Sequence, residues 1–315
     1  MVPIIHIGHL HIYSYSFMVL IGVTLFTIIT IILLEKCEKT QQKVTNRLLI
    51  ISIFGFVSLV GFAFIANSIF HSIEEGKIVL GGITWLGGVL GSFPLMVFLI
   101  HKFCPAVKGE ALKYFNLLIP GIVVAHGFGR IGCFLGGCCY GAVTDSIFGI
   151  SFPDGSMAAN QYPSAAGGSL PVFPTQLFEA AFDFLLFIVM MILYKKAKKH
   201  FLEIYAFSYG TFRFLLEFIR GDDRGATGMT LSPSQIMSLI LIIGGILVLI
   251  YNKRVILKKL HAKMDEYIQK RESTFEEDIN NQTIKLIKEL KELEEQNIIT
   301  KDEFETKKKE LLTRL

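Results

Sequence analysis

Seven runs of mostly apolar residues, separated by charged or polar loops, constrain this chain more than any other feature. A bilayer core about 30 Å thick takes roughly 20 residues of helix per crossing. The runs fall at about 15–34, 48–70, 82–100, 115–135, 174–193, 201–219 and 233–251. They predict an all-α integral membrane protein of seven transmembrane helices. The first run reads as an anchor, since nothing basic precedes it and no small-residue cleavage site follows before Glu35. With 52% hydrophobic residues, 18% charged residues and a mean hydropathy of +0.52, the water-soluble class is excluded. Five cysteines, an odd number outside any small secreted scaffold, exclude a disulfide framework. The net charge of +4 averages two unlike regions and does not point to nucleic acid.

Basic residues collect in alternate loops, which sets orientation by the positive-inside rule. Lys36, Lys39, Lys43 and Arg47 follow the first run; Lys102, Lys108 and Lys113 the third; Lys195, Lys196, Lys198 and Lys199 the fifth; Lys253, Arg254, Lys258 and Lys259 the seventh. Residues 142–175 contain no Lys or Arg. The amino terminus is therefore expected outside and the carboxyl terminus in the cytoplasm, with residues 1–252 forming the membrane domain and 253–315 a soluble helical tail. In the tail, Leu286, Leu290 and Leu293 recur at helical spacing. Thr300 and Glu303 read as a capping box that starts a second helix carrying Phe304, Leu311 and Leu312. The tail reads either as a self-association module or as a solvated neutral appendage.

Ionisable groups at bilayer depth cost about 2.5–3.5 kcal/mol each on insertion scales, so each needs a partner or a task. His126 and Arg130, four apart, share one helix face in a segment where six of the residues 127–141 are glycine. Arginine among open backbone suits an anionic headgroup; tight helix packing is the structural alternative. Tyr209, Arg213, Glu217 and Arg220 form a second stripe, in which Glu217 neutralises either arginine and one arginine is left in surplus. A structural Arg–Glu–Arg ladder is the competing reading. Arg220, Asp222, Asp223 and Arg224 fall at the outer end, where solvation makes charge cheap. Gln176 and Glu179 lie on one face of the fifth run, with Glu179 in reach of Arg130 or Arg213 across a bundle. Trp85, Tyr13 and Tyr15 read as interfacial residues, and His6, His9 and His11 as surface residues. Cys133, Cys138 and Cys139 read as nucleophiles, as a metal or redox set, or as small packing residues. Their C-x4-C-C spacing lacks the C-x2-C of common metal sites, so neither a metal nor a cofactor is assigned.

Four segments, in order, resemble the prolipoprotein diacylglyceryl transferase family. GGITWLGGVLG is similar to its G-G-M-S-F-H-G-G-x-x-G, GRIGCFLGGCCYG to G-R-x-G-N-F-x-N-G-E-x-x-G, FPTQLFE to H-P-S-Q-L-Y-E, and SYGTFRFLLEFIR to G-Y-G-x-F-R-x-x-x-E-F-x-R. The tail also resembles the short SHOCT module, which implies oligomerisation. The family resemblance implies seven crossings in the bacterial plasma membrane. It further implies transfer of a diacylglyceryl group from phosphatidylglycerol to the lipobox cysteine of a prolipoprotein, with release of glycerol phosphate. Arg130 and Arg213 match the family's essential arginines, which would hold the phosphate and stabilise the charge it gains on leaving. Tyr15, Tyr209, Gln176, Glu217, Arg220 and Gly141 also match. Leu86 stands where the family has its catalytic histidine, Cys133 for an asparagine and Cys138 for a glutamate. Leu86 cannot accept a proton, so either His126 takes the role of base or the chemistry has changed. Two other readings stay open: a transferase with another acceptor acting through a cysteine, and a lipid-binding or transport protein without catalysis.

Overall fold

The computed structural model describes residues 4–7, 10–221, 230–296, 298 and 300–313. It is helical apart from one antiparallel hairpin, β1 (Ile4–Ile7) and β2 (Leu10–Tyr13), which pairs Ile4 with Tyr13 and Ile7 with Leu10. The helices are α1 (Ser14–Ile31, continued as a π turn to Cys37), α2 (Gln42–Glu75), α3 (Trp85–Phe103) and α4 (Ala111–Leu135). There follow α5 (Met157–Gln161), α6 (Thr175–Ile192), α7 (Tyr194–Ala197), α8 (Phe201–Leu216), α9 (Pro233–Glu295) and α10 (Lys301–Leu312). The chain divides into two compact units, Met1–Leu249 and Ile250–Leu315.

Among the described residues, six helices are long and apolar enough to cross a membrane: α1 with its π turn, α2, α3, α4, α6 and α9. The run at 201–219 instead forms the 16-residue α8, closed by a 3-10 turn over Glu217–Ile219. That turn breaks the stripe expected from Tyr209 to Arg220. Arg220 is extended, at φ −81° and ψ 148°, and pairs with Gly141 as an isolated antiparallel bridge. The helix from 233 also runs past its apolar stretch, because no Gly or Pro occurs between Gly245 and Glu295 to stop it. Asp222, Asp223, Arg224 and His9 lie outside the described residues.

Helix α4 is the axis of the body, with 67% of its span buried against 28% for α1 and for α2. Phe115, Leu117, Leu118, Ile119 and Val123 join the main core with Ile100 of α3, Met190 of α6, and Phe201 and Tyr205 of α8. Close approach of α1 to α4 requires Gly22, where a Cβ would sit 2.9 Å from the Ala125 carbonyl oxygen. The segment between α4 and α6 closes over one end of the bundle around its own small core of Tyr140, Phe152, Ala158 and Val172. In the second unit, Thr300 and Glu303 make the expected capping box, and the buried Phe304 ring lies under the Lys291 and Lys308 ammonium groups.

Candidate functional site

Three helices bring polar and ionisable residues together at the loop-covered end of the bundle. Helix α4 contributes His126, Arg130 and Cys133, helix α6 contributes Gln176, Glu179 and Asp183, and helix α8 contributes Tyr209 and Arg213. Glu179, fully buried, is the hub. Its Oε1 accepts from Arg130 Nη2 at 2.8 Å and from the Tyr209 hydroxyl at 2.6 Å, and His126 Nε2 lies 3.7 Å away. A carboxylate stripped of water is tolerable only with such donors around it, and removing one partner of a buried pair costs about 3–5 kcal/mol. Of the two arginines offered to Glu179 by the sequence, the fold pairs it directly with Arg130.

One turn along α6, Asp183 Oδ2 stands 2.8 Å from His126 Nδ1. Sequence reasoning missed Asp183, although its signal was present: a second carboxylate four residues after Glu179 on an apolar helix. The imidazole is held on every side. Trp85 stacks on it at 4.0 Å and 2°, and Tyr209 meets it edge-on at 5.2 Å. Trp85 is therefore part of the site and not the interfacial anchor expected of it, because its Nε1 donates inward to the Tyr205 hydroxyl at 3.2 Å. Leu86, next to it, is buried in the main core.

The second arginine is placed differently. Arg213 Nη1 pairs with Glu217 Oε2 at 2.6 Å, and its Nη2 donates to Ser234 Oγ at 2.9 Å. Glu217 Oε1 also accepts from Ser232 Oγ at 2.8 Å. Arg213 does not line the cavity that Arg130 borders. That cavity, of about 270 Å³, lies among α1, α2, α3 and α4. Its wall is apolar along Val19, Val23, Phe56, Leu59 and Val60, and polar at Tyr15, His126, Arg130, Cys133 and Cys139.

The loop after α4 is tied to α6 by its carbonyls. Gln176 Nε2 donates to the Cys138 oxygen at 2.6 Å, and Thr175 Oγ1 to the Cys139 oxygen at 2.7 Å. Gly141 acts through its backbone: a Cβ there would lie 2.6 Å from both the Ile219 oxygen and Phe173 Cβ. The positive φ of Gly137 (70°) and of Cys139 (63°) turns the chain back, so that the sulfur atoms of Cys133, Cys138 and Cys139 all lie within 4.8 Å of one another. The C-x4-C-C spacing gave no sign of this, because it is the turn and not a helical repeat that gathers them. All five cysteines are free thiols.

Comparison with known proteins places these features in context. The sequence model of the family described as prolipoprotein diacylglyceryl transferase matches residues 3–251. The phosphatidylglycerol–prolipoprotein diacylglyceryl transferase 2 of Clostridium perfringens is 34% identical over 255 residues, 78% of this chain and 92% of the relative. The corresponding enzyme of Clostridium tetani is 34% identical over 247 residues, 76% and 92% of the two chains. That of Pseudoalteromonas atlantica is 27% identical over 270 residues, 80% and 89%.

Proposed function

The chain belongs to the prolipoprotein diacylglyceryl transferase family, and from that membership we propose how its own residues carry the reaction. It transfers the diacylglyceryl group of phosphatidylglycerol to the lipobox cysteine thiol of a prolipoprotein and releases glycerol phosphate. The observation that carries the reading is the two-part lining of the cavity: an apolar wall suited to acyl chains ends at a guanidinium suited to a phosphate.

Arg130 holds the lipid phosphate. Glu179 occupies its Nη2, while its Nε has no hydrogen-bond partner among the described residues. As the carbon–oxygen bond breaks, negative charge grows on the phosphate, and a preplaced guanidinium stabilises that charge more than it does the ground state. His126 accepts the proton of the acceptor thiol. Asp183 and the Trp85 face fix its ring, so that Nε2 is the nitrogen turned from Asp183. Arg213, Glu217 and Ser234 hold α8 against the start of α9 and thereby keep Tyr209 on Glu179. Gln176 and Gly141 shape the loop that carries the cysteines, and Arg220 anchors it through the backbone bridge.

The topology we propose has seven crossings, with α8 and its closing turn as the sixth, the amino terminus outside and the tail in the cytoplasm. Support comes from the alternation of basic loops. The matched relatives are bacterial, which supports the bacterial plasma membrane as its place. The tail, which extends beyond the family match, is assigned to self-association on the strength of its helix-pair pattern.

The test uses the purified full chain, phosphatidylglycerol labelled in its acyl chains and a lipobox peptide. The expected result is a labelled thioether on the peptide cysteine, lost when that cysteine is replaced by serine. Binding of phosphatidylglycerol without any product would overturn the transferase reading in favour of a lipid-binding protein.

A further inference from the structure

The structure leaves a chemical question that the transfer reaction does not answer. The family's histidine position holds Leu86, yet the thiols of Cys133, Cys138 and Cys139 cluster beside the cavity, with Cys133 and Cys139 at its polar end. Three observations argue that they act as a set. Their sulfur atoms lie within 4.8 Å of one another, and thiolates around one zinc ion at about 2.3 Å stand roughly 3.8 Å apart, a difference that small side-chain rotations cover. The loop that carries two of them is fixed through its carbonyl oxygens by Gln176 and Thr175, and the Cys138 thiol turns back to the Cys133 carbonyl at 3.6 Å. Cys139 also adopts φ 63°, a strained conformation for a residue with a side chain, which the surrounding hydrogen bonds maintain.

We propose that Cys133, Cys138 and Cys139 bind one Zn²⁺ ion as thiolates, with its fourth position open to the cavity for the acceptor thiol. An all-sulfur set selects a soft or borderline ion over Mg²⁺ or Ca²⁺. Three protein ligands with one open position is the arrangement of a reactive zinc site, whereas structural sites are closed by four. Three thiolates and one Zn²⁺ leave a single negative charge, and Arg130 borders the same cavity with a positive one. Cys133 and Cys139 line that cavity beside Tyr15 and His126, so the open position faces the reacting groups.

This inference rests on the transferase reading and supplies what Leu86 removes. A thiol bound to zinc loses its proton outright. The acceptor thiol gives that proton to His126 as it binds, and its sulfur then attacks the glyceryl carbon. The sulfur–carbon bond forms as the carbon–oxygen bond to the phosphate breaks, and the phosphate keeps the electron pair. The proton passes from His126 to the released phosphate ester or to water, and the zinc keeps its charge throughout.

The test measures metal and transfer separately on the full chain in detergent. With Zn²⁺ alone, competition against a chromophoric chelator is expected to show one ion per chain. Cys133→Ser, Cys138→Ser and Cys139→Ser are each expected to weaken that binding more than about 100-fold, with Cys37→Ser unchanged. Substitution by Co²⁺ is expected to give thiolate-to-metal absorption that changes when a lipobox peptide with cysteine is added and not with its serine counterpart. No Zn²⁺ bound by wild type, or a disulfide within the trio in freshly reduced protein, overturns the site while leaving the transferase reading intact. Zinc binding with a Co²⁺ spectrum indifferent to the peptide overturns the open position. Tight zinc binding without transfer from phosphatidylglycerol overturns the transferase reading and leaves the site standing.

Discussion

Two arginine–glutamate pairs among the described residues of the body differ in what surrounds them. Arg130 pairs with Glu179 beside a cavity and keeps an Nε without a partner among the described residues. Arg213 pairs with Glu217 within one helix turn and is capped by Ser234 from the next helix. From sequence the two are equivalent, each an arginine in an apolar helix with a carboxylate in reach. The fold separates them: one pair borders a cavity with an apolar wall and a polar end, and the other is enclosed by its own partners. The difference teaches that a buried ion pair marks function only when part of its donor set is left over for a ligand.

The largest expected effect breaks the comparison if it fails. Arg130→Lys keeps a charge against Glu179 but loses the planar fork. It should lower the rate of transfer by at least about 100-fold while the thermal unfolding temperature in detergent moves little. Wild-type rates in this variant would mean that the cavity-facing guanidinium is not the phosphate site. Next comes Asp183→Asn, which leaves the His126 ring without its anion. We expect a fall in kcat of about 100-fold, with KM for phosphatidylglycerol unchanged and a displaced pH profile. An unshifted profile would reduce Asp183 to packing.

The Asp183 case also marks how far the sequence was legible. Six of the seven expected runs form long apolar helices among the described residues, because a run of twenty apolar residues has few alternatives, and Arg130 and Glu179 could be singled out because charge is expensive in such a run. Ends were not legible. Helix α2 runs on to Glu75 and α9 to Glu295, since a helix stops at Gly, Pro or a cap and not where hydrophobicity stops. Contacts across helices were not legible either. Trp85 looked like an anchor until its Nε1 was found on Tyr205, and the cysteines met only through the left-handed turn at Gly137 and Cys139.

The enclosed pair gives the third prediction. Ser234→Ala removes one hydrogen bond to a charged group, which costs about 1.5 kcal/mol of stability. Unfolding in a graded denaturing detergent should register that loss, while kcat per folded molecule stays close to the wild-type value, because the Arg213–Glu217 pair remains to hold α8. A kcat that falls while stability holds would move Arg213 to the reacting side of the comparison.

A third carboxylate, outside the spans, sharpens the contrast from the opposite limit. Glu38 accepts from the Tyr194 hydroxyl at 2.7 Å and pairs with Lys198, both side chains being partly exposed. Burial pushes its carboxyl upward, but the hydrogen bonds from Lys198 and Tyr194 outweigh that and hold it below the usual carboxylate range. A depressed folded-state value means that the unfolded chain binds the proton first as pH falls. The stabilisation is therefore complete above the ordinary carboxylate value and disappears as pH drops through the lowered one. Because water screens the pair, its size stays below about 1 kcal/mol. Glu38→Gln should thus lower stability slightly at pH 7 and not at all once the wild-type carboxylate is protonated, as unfolding curves at the two pH values would register. An effect as large as that of Ser234→Ala would mean that enclosure is not what separates strong ion pairs from weak ones in this protein.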